Sequence, residues 1–167
     1  MDTEASPAAP SSRRRKVLIG AGITLLLAWM IFASLFTVFR VEGQSMSPTL
    51  APGEQVVAYR YGSWAPGDLI VFKNPHDPRE LLIKRVHAVA GETVALHGGK
   101  LRVDGAVRKL PTTFFDELPP RVIQPGHVFV LGDNHASSLD SRRLGAVAEE
   151  LVVGKVVFRL WPFGAIQ

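Results

Sequence analysis

From Val17 to Phe39 the chain carries no charged side chain for 23 residues. As a helix rising 1.5 Å per residue, such a run reaches about 34 Å, enough to cross the roughly 30 Å hydrocarbon core of a bilayer. Arg13, Arg14, Arg15 and Lys16 precede it and only Arg40 follows closely, so the positive-inside rule keeps the N-terminus in the cytoplasm. A cleaved secretory signal would have an apolar stretch of about 7–15 residues ending at a small-x-small site. This run is longer and ends Phe36-Thr37-Val38-Phe39. Three parts are therefore expected: a basic, disordered cytoplasmic tail over 1–16, a single-pass anchor over 17–39 in an inner or plasma membrane, and one extracytoplasmic domain over 40–167. The Ala-, Ser- and Pro-rich residues 1–12 show no apolar periodicity, and no function attaches to them.

The net charge of +4 does not point to nucleic acid. Four of the 19 basic and two of the 15 acidic residues lie before Val17, which leaves 15 against 13 in the remainder. A basic face able to track a phosphate backbone is not supported by that balance. The absence of cysteine excludes disulfides, thiolate metal sites and a cysteine nucleophile.

Beyond the anchor the pattern is that of β structure. Short Val/Ile/Leu/Phe-rich runs are expected as strands at Glu54–Tyr61, Asp68–Lys73, Leu81–Ala90, Thr93–Leu96, Lys100–Val103, His127–Leu131 and Leu151–Leu160. Pro52-Gly53, Pro66-Gly67, Gly98-Gly99, Asp104-Gly105 and Pro125-Gly126 supply the reversals between them. The only hint of helix in this part is around Val147–Leu151, and Leu110–Gln124, with three prolines, reads as a surface excursion. The fold class is mainly β: an antiparallel sheet or partial barrel behind one transmembrane helix.

Two residues carry the candidate chemistry. Ser45 lies in Gly43-Gln44-Ser45-Met46-Ser47-Pro48-Thr49-Leu50, where Pro48 and Pro52-Gly53 make a rigid, non-helical turn that can hold a serine and its backbone N–H toward a carbonyl. Lys84 lies in Leu81-Leu82-Ile83-Lys84-Arg85-Val86. A serine hydroxyl needs a neighbouring base, and lysine serves only when neutral. At its ordinary pKa, on the order of one lysine in a thousand is neutral at pH 7, so the amine must be desolvated. Strand alternation points Lys84 the same way as Leu82 and Val86 and sends Arg85 and His87 the other way. Together these features suggest a Ser–Lys hydrolase at a membrane surface. Taken singly, Lys84 equally suits an edge lysine snorkelling to solvent, and Ser45 an ordinary loop serine.

A third segment, Gly132-Asp133-Asn134-His135-Ala136-Ser137-Ser138-Leu139-Asp140-Ser141-Arg142, is dense in turn formers, with Asp140 and Arg142 suited to an ion pair. The pieces Ser45-Met46-Ser47-Pro48-Thr49-Leu50, Gly67-Asp68-Leu69-Ile70-Val71-Phe72, Ile83-Lys84-Arg85-Val86 and Gly132-Asp133-Asn134 through Arg142, in that order behind an N-terminal anchor, resemble the type I signal peptidases. The likeness spans nearly all of residues 17–163. It implies an antiparallel β fold around a Ser–Lys dyad that cleaves signal peptides from exported proteins, with no metal and no cofactor. By position, Ser45 is then the nucleophile and Lys84 the general base. Ser138 hydrogen-bonds and orients the lysine amine, Asp140 and Arg142 brace the loop, and the Ser45 N–H is one oxyanion donor. The implied partners are secretory precursors, the lipid bilayer and, as a candidate, the secretion translocon, with no nucleic acid.

Two positions depart from the family pattern. Some members carry a serine two residues before the nucleophile as a second oxyanion donor, and here that residue is Gly43, as is typical of Gram-positive members. His135-Ala136 stands where many members have a basic residue followed by an acid. His76, His87, His97, His127 and His135 show no metal-ligand spacing, and a Ser138/His135/Asp140 triad would crowd one short loop. Substrate pockets are expected from apolar residues flanking the pair: Phe39, Val41 and Leu50 around Ser45, with Leu82 and Ile83 before Lys84. Phe114, Phe115, Trp161 and Phe163 suit either the membrane interface or a core. Three other functions fit parts of the pattern. They are a self-cleaving repressor-type peptidase, which would need a DNA-binding helical region, a peptidase dedicated to one conjugation or pilus substrate, and a non-enzymatic anchored β module.

Overall fold

The computed structural model describes residues 12–108, 110 and 117–165. The expected tail therefore falls mostly outside the described residues, as do Phe114 and Phe115. The chain divides at Leu35/Phe36 into two units. The first is a single helix, α1 (Ser12–Leu35), long and apolar enough to cross a membrane.

The expected anchor boundary is corrected by four residues. Phe36–Arg40 is not helix but a strand, β1, which pairs antiparallel with β2 (Gln55–Tyr59) from Phe36↔Tyr59 to Arg40↔Gln55. Phe, Thr and Val favour a pleated surface, and once a partner edge is present the same uncharged run extends. Hydropathy cannot see that edge.

The second unit continues with β3 (Leu69–Lys73), β4 (Leu81–Ala88), β5 (Thr93–His97), β6 (Lys100–Val103), β7 (Ala106–Arg108), β8 (Leu118–Val122) and β9 (His127–Leu131). A short helix α2 (Ser141–Leu144), β10 (Val147–Ala148) and β11 (Val152–Trp161) complete it. All seven expected strands are present, with ends that shift by up to two residues. Every pairing is antiparallel, and the expected partial barrel is realised as two sheets, ordered β1-β2-β11-β3-β4-β9-β10 and β7-β6-β5-β8.

Three further expectations change. Val147–Leu151 is a two-residue strand and a 3-10 turn. The Leu110–Gln124 excursion contains β8, and its Pro119-Pro120 is tolerated because β8 is an edge strand bonded only to β5. The four-residue α2, too short to show a period, is capped by the Asp140 side chain accepting from Arg142 N.

β3 explains how the core is built. Leu69, Ile70, Val71 and Phe72 are all buried. Leu69 and Val71 join a cluster with Val41, Met46, Leu50, Val56, Ala58 and Val156, while Ile70 and Phe72 join Val86, Val128, Val130 and Val147. A strand covered on both faces reads as a continuous apolar run rather than an alternating one. A third cluster, including Ala88, Leu96, Leu101, Phe129 and Leu131, holds the second sheet against the first.

Gly154 lets β11 lie close to β2, because a Cβ there would sit 2.8 Å from the Tyr59 carbonyl oxygen. Gly154→Ala is expected to cost about 1–3 kcal/mol, as overpacking does, and to lower the thermal midpoint by several degrees. Gly164→Ala, with open space at the same position, serves as the near-neutral control in the same melting experiment.

Candidate active site

The turn that carries Ser45 is closed by Ser47 N–H donating to the Gln44 carbonyl (3.1 Å) and Leu50 N–H to the Met46 carbonyl (2.9 Å). Met46 and Leu50 plug into the core cluster beneath it, 1% and 0% exposed. Ser45 itself stays half-buried. Lys84 comes from the middle of β4, opposite Ile70, and is 1% exposed. Its Nζ donates to Ser45 Oγ at 2.8 Å and to the Ile83 carbonyl at 2.9 Å.

Burial of the amine lowers its pKa from 10.5 to about 8, against the opposing fields of Asp140, Glu80 and Asp133. About one amine in ten is then neutral at pH 7, a gain of some hundreds-fold over an exposed lysine. Each of the two nearer-loop acids is engaged by an arginine. Asp140, 0% exposed, accepts from Arg142 Nε (2.8 Å), Arg142 Nη2 (2.9 Å) and Gly132 N (3.1 Å). Asp133 accepts from Arg85 Nε (3.0 Å) and Nη2 (2.8 Å) and from Thr49 Oγ1 (2.5 Å). Burial would push both carboxyls up, but these bonds together hold them below the ordinary range.

The loop after β9 reaches the nucleophile through its backbone, with Asn134 N–H donating to the Ser45 carbonyl at 2.9 Å. Arg142 also ties the loop to itself through the His135 carbonyl (2.7 Å). The expected hydrogen bond from Ser138 to the lysine amine is not formed. Ser138 is buried, its Oγ makes no hydrogen bond to Nζ, and Nζ uses the Ile83 carbonyl instead. Ser138 Oγ and the Ser45 carbonyl both crowd Gly132, where a Cβ would collide with the hydroxyl and lie 2.5 Å from the carbonyl oxygen. Gly132 is thus a site residue missed at the level of sequence, although it opens the third motif.

A groove of about 430 Å³ passes the pair, walled by Val38, Phe39, Val41, Leu82 and Ile83, with Arg40, Glu42, Arg79 and Glu80 also bordering it. Four of the five expected pocket residues line it. Leu50 does not, since its turn directs it inward to full burial. Among the described residues two strand segments along the groove lack a second partner strand: β1 from Val38 to Arg40 pairs with β2 on one side, and β9 joins β4 only from Arg85 onward, leaving Leu81–Ile83 without a strand on that side. His87 is pushed down to about 4 by burial, so it is neutral at pH 7, and no hydrogen bond joins it to the serine. Among the described residues no group of three or more acidic or histidine side chains is gathered to hold a metal.

A serine bonded to a buried amine beside an open groove defines a class, the Ser–Lys hydrolases. The family model described as "Signal peptidase, peptidase S26" matches residues 14–161. Signal peptidase IB of Staphylococcus aureus (strain COL) is 31% identical over 176 residues, covering 90% of this chain and 91% of that protein. The mitochondrial ATP-independent inner membrane protease subunit 1a of Arabidopsis thaliana is 32% identical over 135 residues, 76% of this chain and 73% of its own. A signal peptidase I crystal structure from Enterococcus faecalis V583 superposes with a TM-score of 0.47 at 24% identity, covering 56% of this chain and 96% of that one. The chain belongs to the signal peptidase family, peptidase S26. It is a membrane-anchored enzyme of that family.

The lysine pKa generates a pH prediction. Only the neutral amine accepts a proton, so kcat/KM should fall about tenfold per pH unit below about 8 and level off above it. A pH–rate profile on a peptide substrate checks this; a limb near 6.5 would point to a histidine base instead. Lys84→Arg, which keeps the charge but cannot serve as a base, should be inactive across the range.

Proposed function

We propose that Ser45 and Lys84 form the catalytic dyad with which this signal peptidase removes N-terminal signal peptides from secretory precursors. The observation that carries the reading is the 2.8 Å contact between Lys84 Nζ and Ser45 Oγ, with the amine buried and the serine facing a groove. Ser45 Oγ attacks the scissile carbonyl while Nζ takes its proton. The Ser45 N–H steadies the oxyanion, and the lysine then protonates the leaving amine. In the second half Lys84 takes a proton from water as the water oxygen attacks the acyl carbonyl; the bond from that carbonyl to Ser45 Oγ then breaks, and the lysine returns the proton to Oγ, which frees the carboxylic acid product and restores the serine. Asp140 and Arg142 hold the loop that backs the pair. Ser138 is given a supporting part in that buried wall, without a share in proton transfer in this resting geometry. Gly43 offers no hydroxyl as a second oxyanion donor.

The substrate is read as an extended strand, gripped through its backbone by the free edges of β1 and Leu81–Ile83. Phe39, Val41, Leu82 and Ile83 narrow the apolar walls, which favours small side chains, such as alanine, before the cut. The basic Arg13–Lys16 cluster sets the N-terminus in the cytoplasm and the β domain outside it, where precursors emerge from the translocon. A general rather than dedicated substrate range is part of the proposal, and a survey of precursors tests it.

Detergent-purified full-length protein incubated with a secretory precursor is expected to cut once, after a small residue, as shown by mass mapping of the products. Ser45→Ala should abolish cleavage while circular dichroism and membrane insertion stay unchanged, and a metal chelator should have no effect. Undiminished cutting by Ser45→Ala would remove this serine from the mechanism, and metal-restored activity after chelation would remove the dyad.

A further inference from the structure

The turn that bears Ser45 must be held against a base that enters from a separate strand, 39 positions away in the sequence. Three polar tethers do the holding. One is the Asn134 N–H on the Ser45 carbonyl. The second is Arg159, which reaches from β11 to donate Nη2 to the Thr49 carbonyl at 3.1 Å while Nη1 bonds Glu54 Oε1 at 3.0 Å. The third is the Thr49 hydroxyl itself, 2.5 Å from Asp133 Oδ2. Asp133 is 3% exposed and is fixed from the other side by the two-point contact of Arg85. Arg85 follows Lys84 directly in the chain.

We propose that Thr49 is a positioning residue, which sets the spacing of Ser45 and Lys84 by tying the nucleophile turn, through Asp133 and Arg85, to the strand that carries the amine. A hydroxyl donating to a buried carboxylate is among the shorter and stronger hydrogen bonds. Threonine, branched at Cβ, also confines the direction of its hydroxyl more tightly than serine does. Valine at this position keeps the shape, removes only the donor, and leaves Asp133 paired with Arg85. The turn then rests on its apolar plugs and two backbone tethers. A slip of about 1 Å between reacting groups costs about a hundredfold in rate, and it falls on the chemical step rather than on a groove built from other strands.

The inference rests on the Ser45–Lys84 reading, which Ser45→Ala decides separately. The test uses full-length protein in detergent and an internally quenched peptide with alanine at the first and third positions before the cut. Thr49→Val should lower kcat about 10- to 100-fold with KM within about twofold, and Thr49→Ser should recover kcat to within about threefold. Melting curves establish that each variant is folded, and Thr49→Ala, a truncation, carries the same expectation if the valine variant does not fold. Wild-type kcat in folded Thr49→Val or Thr49→Ala would overturn the proposal. So would a loss confined to KM, or a serine variant as poor as the valine one. Such a result in a protein whose Ser45→Ala variant is inactive leaves the dyad standing and removes Thr49 alone.

Discussion

Everything in this domain turns on keeping one lysine amine out of water. Lowering the pKa of Lys84 from 10.5 to about 8 disfavours its ammonium by on the order of 3 kcal/mol, a cost carried by the rest of the fold. A strand buried between two core clusters, β3, covers β4 on one side, and β9 covers part of the other. Three acids, Asp140, Glu80 and Asp133, act to raise the pKa of the amine, and arginines engage two of them. Asp140 is occupied by Arg142 and Asp133 by Arg85, so their negative charge is spent largely on guanidinium partners. The result is an amine with a pKa of about 8, the property the proposed base requires.

The same sheet order that buries the amine leaves an approach open. β1 stands at the edge of the seven-stranded sheet, and β4 runs four residues, Leu81 to Lys84, beyond its pairing with β9. An unpaired edge is ordinarily a hazard. Here two edges border one groove beside Ser45, the arrangement on which the proposed strand-like grip of an extended peptide rests. β1 follows α1 without an intervening loop, and its Val38, Phe39 and Arg40 line the groove.

What could be read in the sequence follows from local rules. Seven strands stood out because apolar runs were bounded by Pro-Gly, Gly-Gly and Asp-Gly turns. β7 and β10, at three and two residues, were too short to show a pattern, and the prolines of β8 concealed an edge strand whose N–H groups are partly dispensable. The end of the anchor was misplaced for a different reason. Phe36-Thr37-Val38-Phe39 is as uncharged as the helix before it, and only the edge of β2 converts it to a strand.

Ser45, Lys84, Asp140 and Arg142 stand out as candidates in the sequence through the chemistry of a Ser–Lys pair and the order of the motifs, and the fold brings Ser45 against Lys84 and Asp140 against Arg142. Composition and charge pattern likewise determined an apolar helix followed by an antiparallel β domain, since hydropathy and period are properties of neighbouring residues. The tertiary structure decided what depends on residues far apart in the chain. Leu50 belongs to the core and not to the groove, the amine bonds the Ile83 carbonyl and not Ser138, and Thr49 meets Asp133 across 84 positions. Contacts of that kind are set by how strands stack and cross, and no local pattern encodes them.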